Sequence, residues 1–390
     1  MKPLNSILST NAVTIFTVMS ALAVQHDAIN LGQGFPDTEG PADLVRAAAD
    51  ALFDGRNQYP PLVGLPELRQ AVSAANKRFY GLEIDPASEV VVTSGATEAL
   101  ASCLAALLNP GDEVVLIEPL YDTYVPVIRL LGAIPRLVRT MPPNWDLPRT
   151  ELAAAFGPKT KAILLNSPMN PTGKVFSADD LAFIAGLLAQ HDAYAICDEV
   201  YEHLTFDGHA HIPLMTLPGM RERCLRIGSA GKTFSFTGWK VGYISGPASL
   251  ISVVAKAHQN LTFTTAPNLQ RAVAQGLAKD DAYFTGLAMG MQERRDRLGA
   301  GLEAAGFAVL PTHGSYFITA DFSPLGFEGD DIAFCRHITE HARVAAIPVS
   351  AFYEGDAPRH FARFAFCKRP EVLDEAVARL TAHFRRNARL

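Results

Sequence analysis

Residues 224–242 read CLRIGSAGKTFSFTGWKVG, an apolar run that opens into small and hydroxyl residues around Lys232. The GSAGKT inside it looks like a phosphate-cradling P-loop, but that motif needs four residues between its glycines. Gly228 and Gly231 have only two residues between them, and Arg226 stands where the first glycine belongs. A P-loop nucleotide hydrolase is therefore disfavoured. A lysine at the end of a buried strand, flanked by small residues, suits an amine that condenses with an aldehyde cofactor.

Outward from this stretch the chain alternates short apolar runs with longer Ala/Leu-rich ones. The spacing predicts strands at 89–93, 113–118, 134–138, 161–166, 194–198, 224–228 and 241–245, with helices at 97–108 and 179–190 among them. Strands apolar along their length and separated by helices predict a mostly parallel, seven-stranded sheet between helices. After about residue 290 the pattern changes. A helix at 291–305 leads into FAVLPTHGSYFITADF (307–322), which reads as antiparallel strands, then HFARFAFCK (360–368) and a terminal helix. The expected organisation is α/β, with a large domain over 45–285 and a smaller α+β domain over 286–390. Residues 1–44 are expected to pack with the small domain.

Composition narrows the function. Hydrophobic residues make up 48% and charged residues 19% of the 390 residues, as in a chain with a large buried core. The net charge of −6 argues against a nucleic-acid partner. The five cysteines (103, 197, 224, 335, 367) never approach CxxC spacing, so neither a disulfide framework nor a zinc site is expected, and a reducing cytoplasm is. His203 is read as a surface or supporting residue, and no metal is expected. No stretch is apolar for long enough to predict a membrane span, and the start lacks a signal-peptide core.

Open α/β sheets place ligands beyond the carboxyl ends of their strands, and the residues just past each strand are informative here. Ser94-Gly95-Ala96-Thr97-Glu98 opens a helix with small residues, as an anion site needs, although an ordinary cap reads the same way. Tyr121 comes after the strand EVVLIE. Asn170 sits between prolines in SPMNPTG (167–173). Asp198 closes the strand YAICD, a costly place for a carboxylate without a positive partner, and Tyr201 comes one turn later. Ser229, Lys232 and Lys240 complete the set. Together they offer a phosphate cup, a stacking aromatic, an amide, a phenol, an acid for a pyridinium nitrogen and a lysine for an aldehyde, which is what pyridoxal phosphate requires.

These residues also carry a family resemblance. From about residue 14 to 363 the chain resembles a class I (fold type I) pyridoxal-phosphate aminotransferase. The matching motifs are LGQGFPD (31–37), NQYPPLVGLPELRQA (57–71), TSGATEAL (93–100), EPLYDTY (118–124), NSPMNPTGK (166–174), CDEVYEHL (197–204), GSAGKTFSFTGWKVG (228–242) and RFAF (363–366). Within the family it is most similar to the methionine aminotransferase and kynurenine/glutamine aminotransferase branch. The resemblance implies that Lys232 binds the cofactor aldehyde and later shuttles the substrate proton. It implies that Asp198 holds the pyridine nitrogen protonated, that Asn170 and Tyr201 bond the 3′-oxygen and that Tyr121 stacks on the ring. Gly95, Ala96, Thr97, Ser229 and Lys240 are implied for the phosphate. Tyr59 is implied to reach the phosphate of a neighbouring subunit, hence a homodimer with shared sites. Arg363 is implied to clamp the substrate α-carboxylate, bidentate as its geometry allows, with Asn170 and the Gly34 backbone assisting. Phe16 and Thr264 stand where kynurenine enzymes commonly carry Trp and His, while Phe263 matches, so the substrate lining stays apolar and aromatic.

The expected reaction is transamination between an L-amino acid and a 2-oxo acid, by ping-pong through pyridoxamine phosphate. Methionine is favoured, followed by aromatic, leucine-like or glutamine-like side chains. Thr14–Met19, Phe35, Tyr121 and Leu261–Thr265, expected to line the side-chain pocket, contain no Lys or Arg for a second carboxylate. The alternatives are a cysteine-conjugate or cystathionine β-lyase with the same cofactor and, more remotely, a non-catalytic regulator. Only about 30 residues precede LGQGFPD, too few for a helix-turn-helix.

Overall fold

The computed structural model describes residues 2–10 and 13–387. Its centre is a seven-stranded sheet formed by β1 (Val90–Thr93), β2 (Glu113–Glu118), β3 (Ile134–Arg139), β4 (Thr160–Asn166), β5 (Tyr194–Asp198), β6 (Cys224–Ser229) and β7 (Gly242–Ser245), in the order β1-β7-β6-β5-β4-β2-β3. Only β7 runs antiparallel to its neighbours. β1, β2, β5 and β6 are buried or nearly so throughout, which is why they read as unbroken apolar runs. The edge strand β3 alternates instead and carries Pro135, whose missing N–H an edge tolerates.

Register aims the site. Asn166 pairs with Asp198, and Asp198 with Ile227, so the parallel strands end together on one edge. Because β7 is reversed, its first residue Gly242 lies beside both Thr93 and Ser229. The helix Gly95–Leu107 and the segment from Ser229 to Lys240 therefore start from one corner.

The smaller domain has a four-stranded antiparallel sheet of β8 (Ala308–Val309), β9 (Phe317–Asp321), β10 (Ile347–Pro348) and β11 (Phe361–Ala365), in the order β10-β11-β9-β8. The expected helix at 291–305 is the end of a longer one, Asp281–Ala304, capped by the Asp280 side chain. It runs through the boundary expected near 285. Ile29–Asn30 pairs in parallel with Val344–Ala345.

Candidate active site

At the corner defined by β1, β6 and β7, the backbone is stripped to glycine. A Cβ on Gly242 would come within 2.6 Å of the Gly95 carbonyl carbon and 2.8 Å of Ala96 N. Gly95 has φ of +80°, a left-handed conformation that glycine adopts without strain. The Ser94 side chain does not cap the helix; it bonds Thr265 Oγ1 at 3.1 Å. Glu98 Oε2 accepts the Ser94 N–H at 2.9 Å. The next N–H groups remain available to an anion at the positive end of the helix dipole. Lys240 lies alongside, its Nζ 3.2 Å from where a Gly95 Cβ would be.

Asp198 is buried at the end of β5. Tyr124 Oη donates to its Oδ2 at 2.6 Å and the Val200 N–H to its Oδ1 at 3.4 Å, with no cation in hydrogen-bond contact. Burial pushes its pKa up, against the Tyr124 and Val200 bonds and the charge of Lys232. Asn166 ties the adjoining loop to the strand: it donates to the Asp198 carbonyl at 2.9 Å and accepts the Asn170 N–H at 2.8 Å.

Lys232 leaves the sheet through the short helix Ala230–Thr233, and its Nζ donates to Tyr316 Oη at 2.8 Å. Burial brings its pKa down to about 8; Arg363 and Lys240 push the same way, while Cys367 and Asp198 oppose. Arg363, in the middle of β11, is 1% exposed. Its Nη1 donates to Asn170 Oδ1 at 2.8 Å and its Nη2 to the Gly32 carbonyl at 2.6 Å, while its buried Nε has no partner. Phe317, Phe352 and Phe16 surround the guanidinium at 3.8, 5.0 and 5.2 Å. Burial lowers its pKa to about 10, which leaves it charged at neutral pH.

These groups face one cavity of about 480 Å³, lined by Phe16, Gly34, Gly95, Ala96, Thr97, Tyr121, Asn170, Asp198, Tyr201, Ser229, Lys232, Lys240 and Arg363. Tyr59 and Phe263 do not line it. They pack edge-to-face on each other at 5.1 Å, 81% and 42% exposed. Gly34 lines the cavity and its carbonyl accepts from Tyr316, while the Gly32 carbonyl accepts from Arg363. His203 packs between Phe79 and Phe284, and no metal-binding cluster occurs among the described residues.

Sequence reasoning missed Tyr124, Tyr316 and Phe317. Tyr124 lies three residues past Tyr121 and carried a signal in the EPLYDTY motif. Tyr316 and Phe317 sit in an apolar strand approach that reads as core.

The donor set is that of a phosphate ester on an aromatic aldehyde with a basic ring nitrogen. It has a free helix N-terminus with a lysine, a buried acid without a cation, and a lysine whose amine is half-neutral near pH 8. Comparison with known proteins agrees. Residues 26–380 match the family "Aminotransferase class I and II". The chain is 46% identical over 381 residues to a probable N-succinyldiaminopimelate aminotransferase DapC of Mycobacterium tuberculosis (95% of this chain, 96% of the relative). It is 40% identical to the methionine aminotransferase of Escherichia coli (94% and 95%), and 39% to the kynurenine–oxoglutarate transaminase 3 of Mus musculus (93% and 86%). The solved N-succinyldiaminopimelate aminotransferase from Mycobacterium tuberculosis superposes with a TM-score of 0.95, covering 97% of this chain and all of that one. The chain belongs to the class I and II aminotransferases. It is a pyridoxal-phosphate-dependent enzyme of fold type I, and the methionine and kynurenine branch expected from its motifs is among its relatives.

Proposed function

We propose that the enzyme moves the amino group of an L-amino acid with an apolar, aromatic or glutamine-like side chain, methionine foremost, onto a 2-oxo acid in two ping-pong half-reactions. The observation that carries this reading is the meeting of Lys232, Asp198 and Arg363 on one cavity. Pyridoxal phosphate, when bound, supplies an aldehyde for the amino group and a ring that accepts the carbanion's electrons.

In this reading the N–H groups of Gly95, Ala96 and Thr97, with Ser229 and Lys240, hold the phosphate, and the Tyr121 ring packs on the cofactor face. The Asp198 carboxylate keeps the ring nitrogen protonated, which also gives this buried acid the cation it lacks. Asn170 uses Oδ1 on Arg363 and keeps its amide protons for the 3′-oxygen, alongside the Tyr201 hydroxyl. Arg363 binds the substrate α-carboxylate. The Lys232 amine, neutral above about pH 8, would take the proton from the substrate Cα and hold it at Nζ for return.

Tyr59 and Phe263, turned away from their own cavity, suit a homodimer in which they border the partner's site. A second recess of about 350 Å³, lined by Asn57–Pro60 and Thr264–Pro267, lies beside them. The division into 45–285 and 286–390, with 1–44 on the latter, belongs to the same proposal: Lys232 comes from one unit and Arg363 from the other.

The cavity's cations are Lys232, Lys240 and Arg363, all taken by these roles, and Asp122 also lines it. Among the described residues a distal carboxylate finds no free cation there, so aspartate is disfavoured by several kcal/mol. A thioether fills irregular space beside Phe16 and Phe317. The 46% identical relative supports a second reading, N-succinyldiaminopimelate; its two further carboxylates then need cations from the partner subunit. Ranking kcat/KM over the twenty L-amino acids and N-succinyl-LL-diaminopimelate, with several 2-oxo acids, tests this. Methionine or an aromatic amino acid leads if the reading holds. The succinylated substrate in front establishes the second reading, and aspartate in front contradicts both.

A further inference from the structure

Lysine is a flexible chain that loses side-chain entropy when its amine is held in one place. In this protein the holding group is a tyrosine outside the motifs of the cofactor site. Tyr316 is fully buried just before β9, edge-on to Tyr201 (centroids 5.0 Å) and Phe317 (4.8 Å). Its hydroxyl proton is committed, because it donates to the Gly34 carbonyl. The oxygen's acceptor capacity remains, and Lys232 Nζ donates to it at 2.8 Å.

The carbonyl that fixes Tyr316 belongs to the 31–37 segment, which also places the Gly32 carbonyl on Arg363 at 2.6 Å. A Cβ on Gly34 would meet Phe317 Cζ at 2.4 Å, so the segment lies directly on the two aromatic residues. One strap thus touches the supports of both the reacting amine and the carboxylate clamp. We propose that Tyr316 is a positioning residue that docks the Lys232 amine through its hydroxyl oxygen and, through Gly34 and Gly32, registers that amine against Arg363.

The inference rests on Lys232 being the reacting amine. The titratable and charged groups that face this amine are Asp198 and the Cys367 thiol, which favour its protonated form, Arg363 and Lys240, which oppose it, and Tyr201, whose ring centroid lies 5.7 Å from Nζ. Tyr316 adds an acceptor, worth more to an ammonium than to a neutral amine. Tyr316→Phe keeps the ring and removes the hydroxyl, so both the acceptor for Lys232 and the donor to the Gly34 carbonyl are lost.

The test reads two quantities. The first is the Lys232 pKa in the full chain freed of cofactor, from the pH dependence of cyanate modification followed by peptide mass. The second is the rate of the first half-reaction in the holoenzyme. In Y316F the pKa falls by about half a unit or more, from loss of the acceptor. The half-reaction slows about tenfold while the substrate Kd changes less than about twofold, the signature of a misplaced reacting group. Tyr316→Gln restores an amide acceptor and brings the pKa back towards the wild-type value; it also carries the test if Y316F does not fold. A wild-type pKa and half-reaction rate in folded Y316F overturn the proposal. So does a loss confined to substrate Kd, or a Y316Q pKa shifted as far as that of Y316F or, where Y316Q stands alone, by half a unit or more. Borohydride reduction of both holo-variants keeps the premises apart: cofactor fixed elsewhere than Lys232 overturns the reading of Lys232 itself.

Discussion

Asp198 holds its carboxylate in a buried setting with two hydrogen bonds and no cation, so its function and its stability pull in opposite directions. Asp198→Asn keeps the shape, still accepts from Tyr124 and removes the charge. Cofactor should still bind, but turnover should fall by at least about 10², equivalent to about 2.7 kcal/mol of transition-state stabilisation. The melting temperature of the cofactor-free protein should be unchanged or higher, because an unpaired buried charge is gone. Steady-state kinetics and calorimetry check the two halves, and near wild-type turnover would make this carboxylate structural. Arg363, Asp198 and Lys232 stood out in the sequence because a charge inside an apolar strand, closing one or just past one needs a reason. Tyr316 did not, because a buried tyrosine next to an apolar strand reads as core whatever its hydroxyl does, and Tyr124 was signalled only by its motif.

At the level of elements, the corner between β1, β6 and β7 depends on missing side chains as much as on present ones. The strands were legible because their burial on both faces leaves unbroken apolar runs. The antiparallel setting of β7 was not, and it is what lays Gly242 against the helix N-terminus. Gly242→Ala would put a Cβ 2.6 Å from the Gly95 carbonyl carbon. Relieving that contact displaces the helix start that is proposed to hold the phosphate. Pyridoxal phosphate affinity should fall at least about tenfold, with a stability loss of about 1–3 kcal/mol from overpacking. Fluorescence titration and thermal melting measure the pair; unchanged affinity in a folded variant would detach this corner from the phosphate. Arg226, conspicuous in the sequence as the residue that breaks a P-loop, bridges Glu199 and Glu202 beneath β5 and donates to Asn76 Oδ1 at 2.7 Å. Asn76 lies far away in sequence, so no local spacing could have announced the cluster.

For the whole molecule, the two sheets bring Lys232 and Arg363 to one cavity, while Tyr59 and Phe263 are exposed outside it. The role proposed for Tyr59 came only through family resemblance; nothing in the local pattern around it distinguishes it from an ordinary surface aromatic. The central claim is that the enzyme stores the amino group between two half-reactions, and a single-turnover experiment addresses it most directly. The holoenzyme is mixed with excess L-methionine and no 2-oxo acid, and the oxo product and ammonia are counted per subunit. The predicted result is one equivalent of 2-oxo acid per subunit, no ammonia, and renewed turnover only when a 2-oxo acid acceptor is added. Continuous release of oxo acid and ammonia without an acceptor would contradict it.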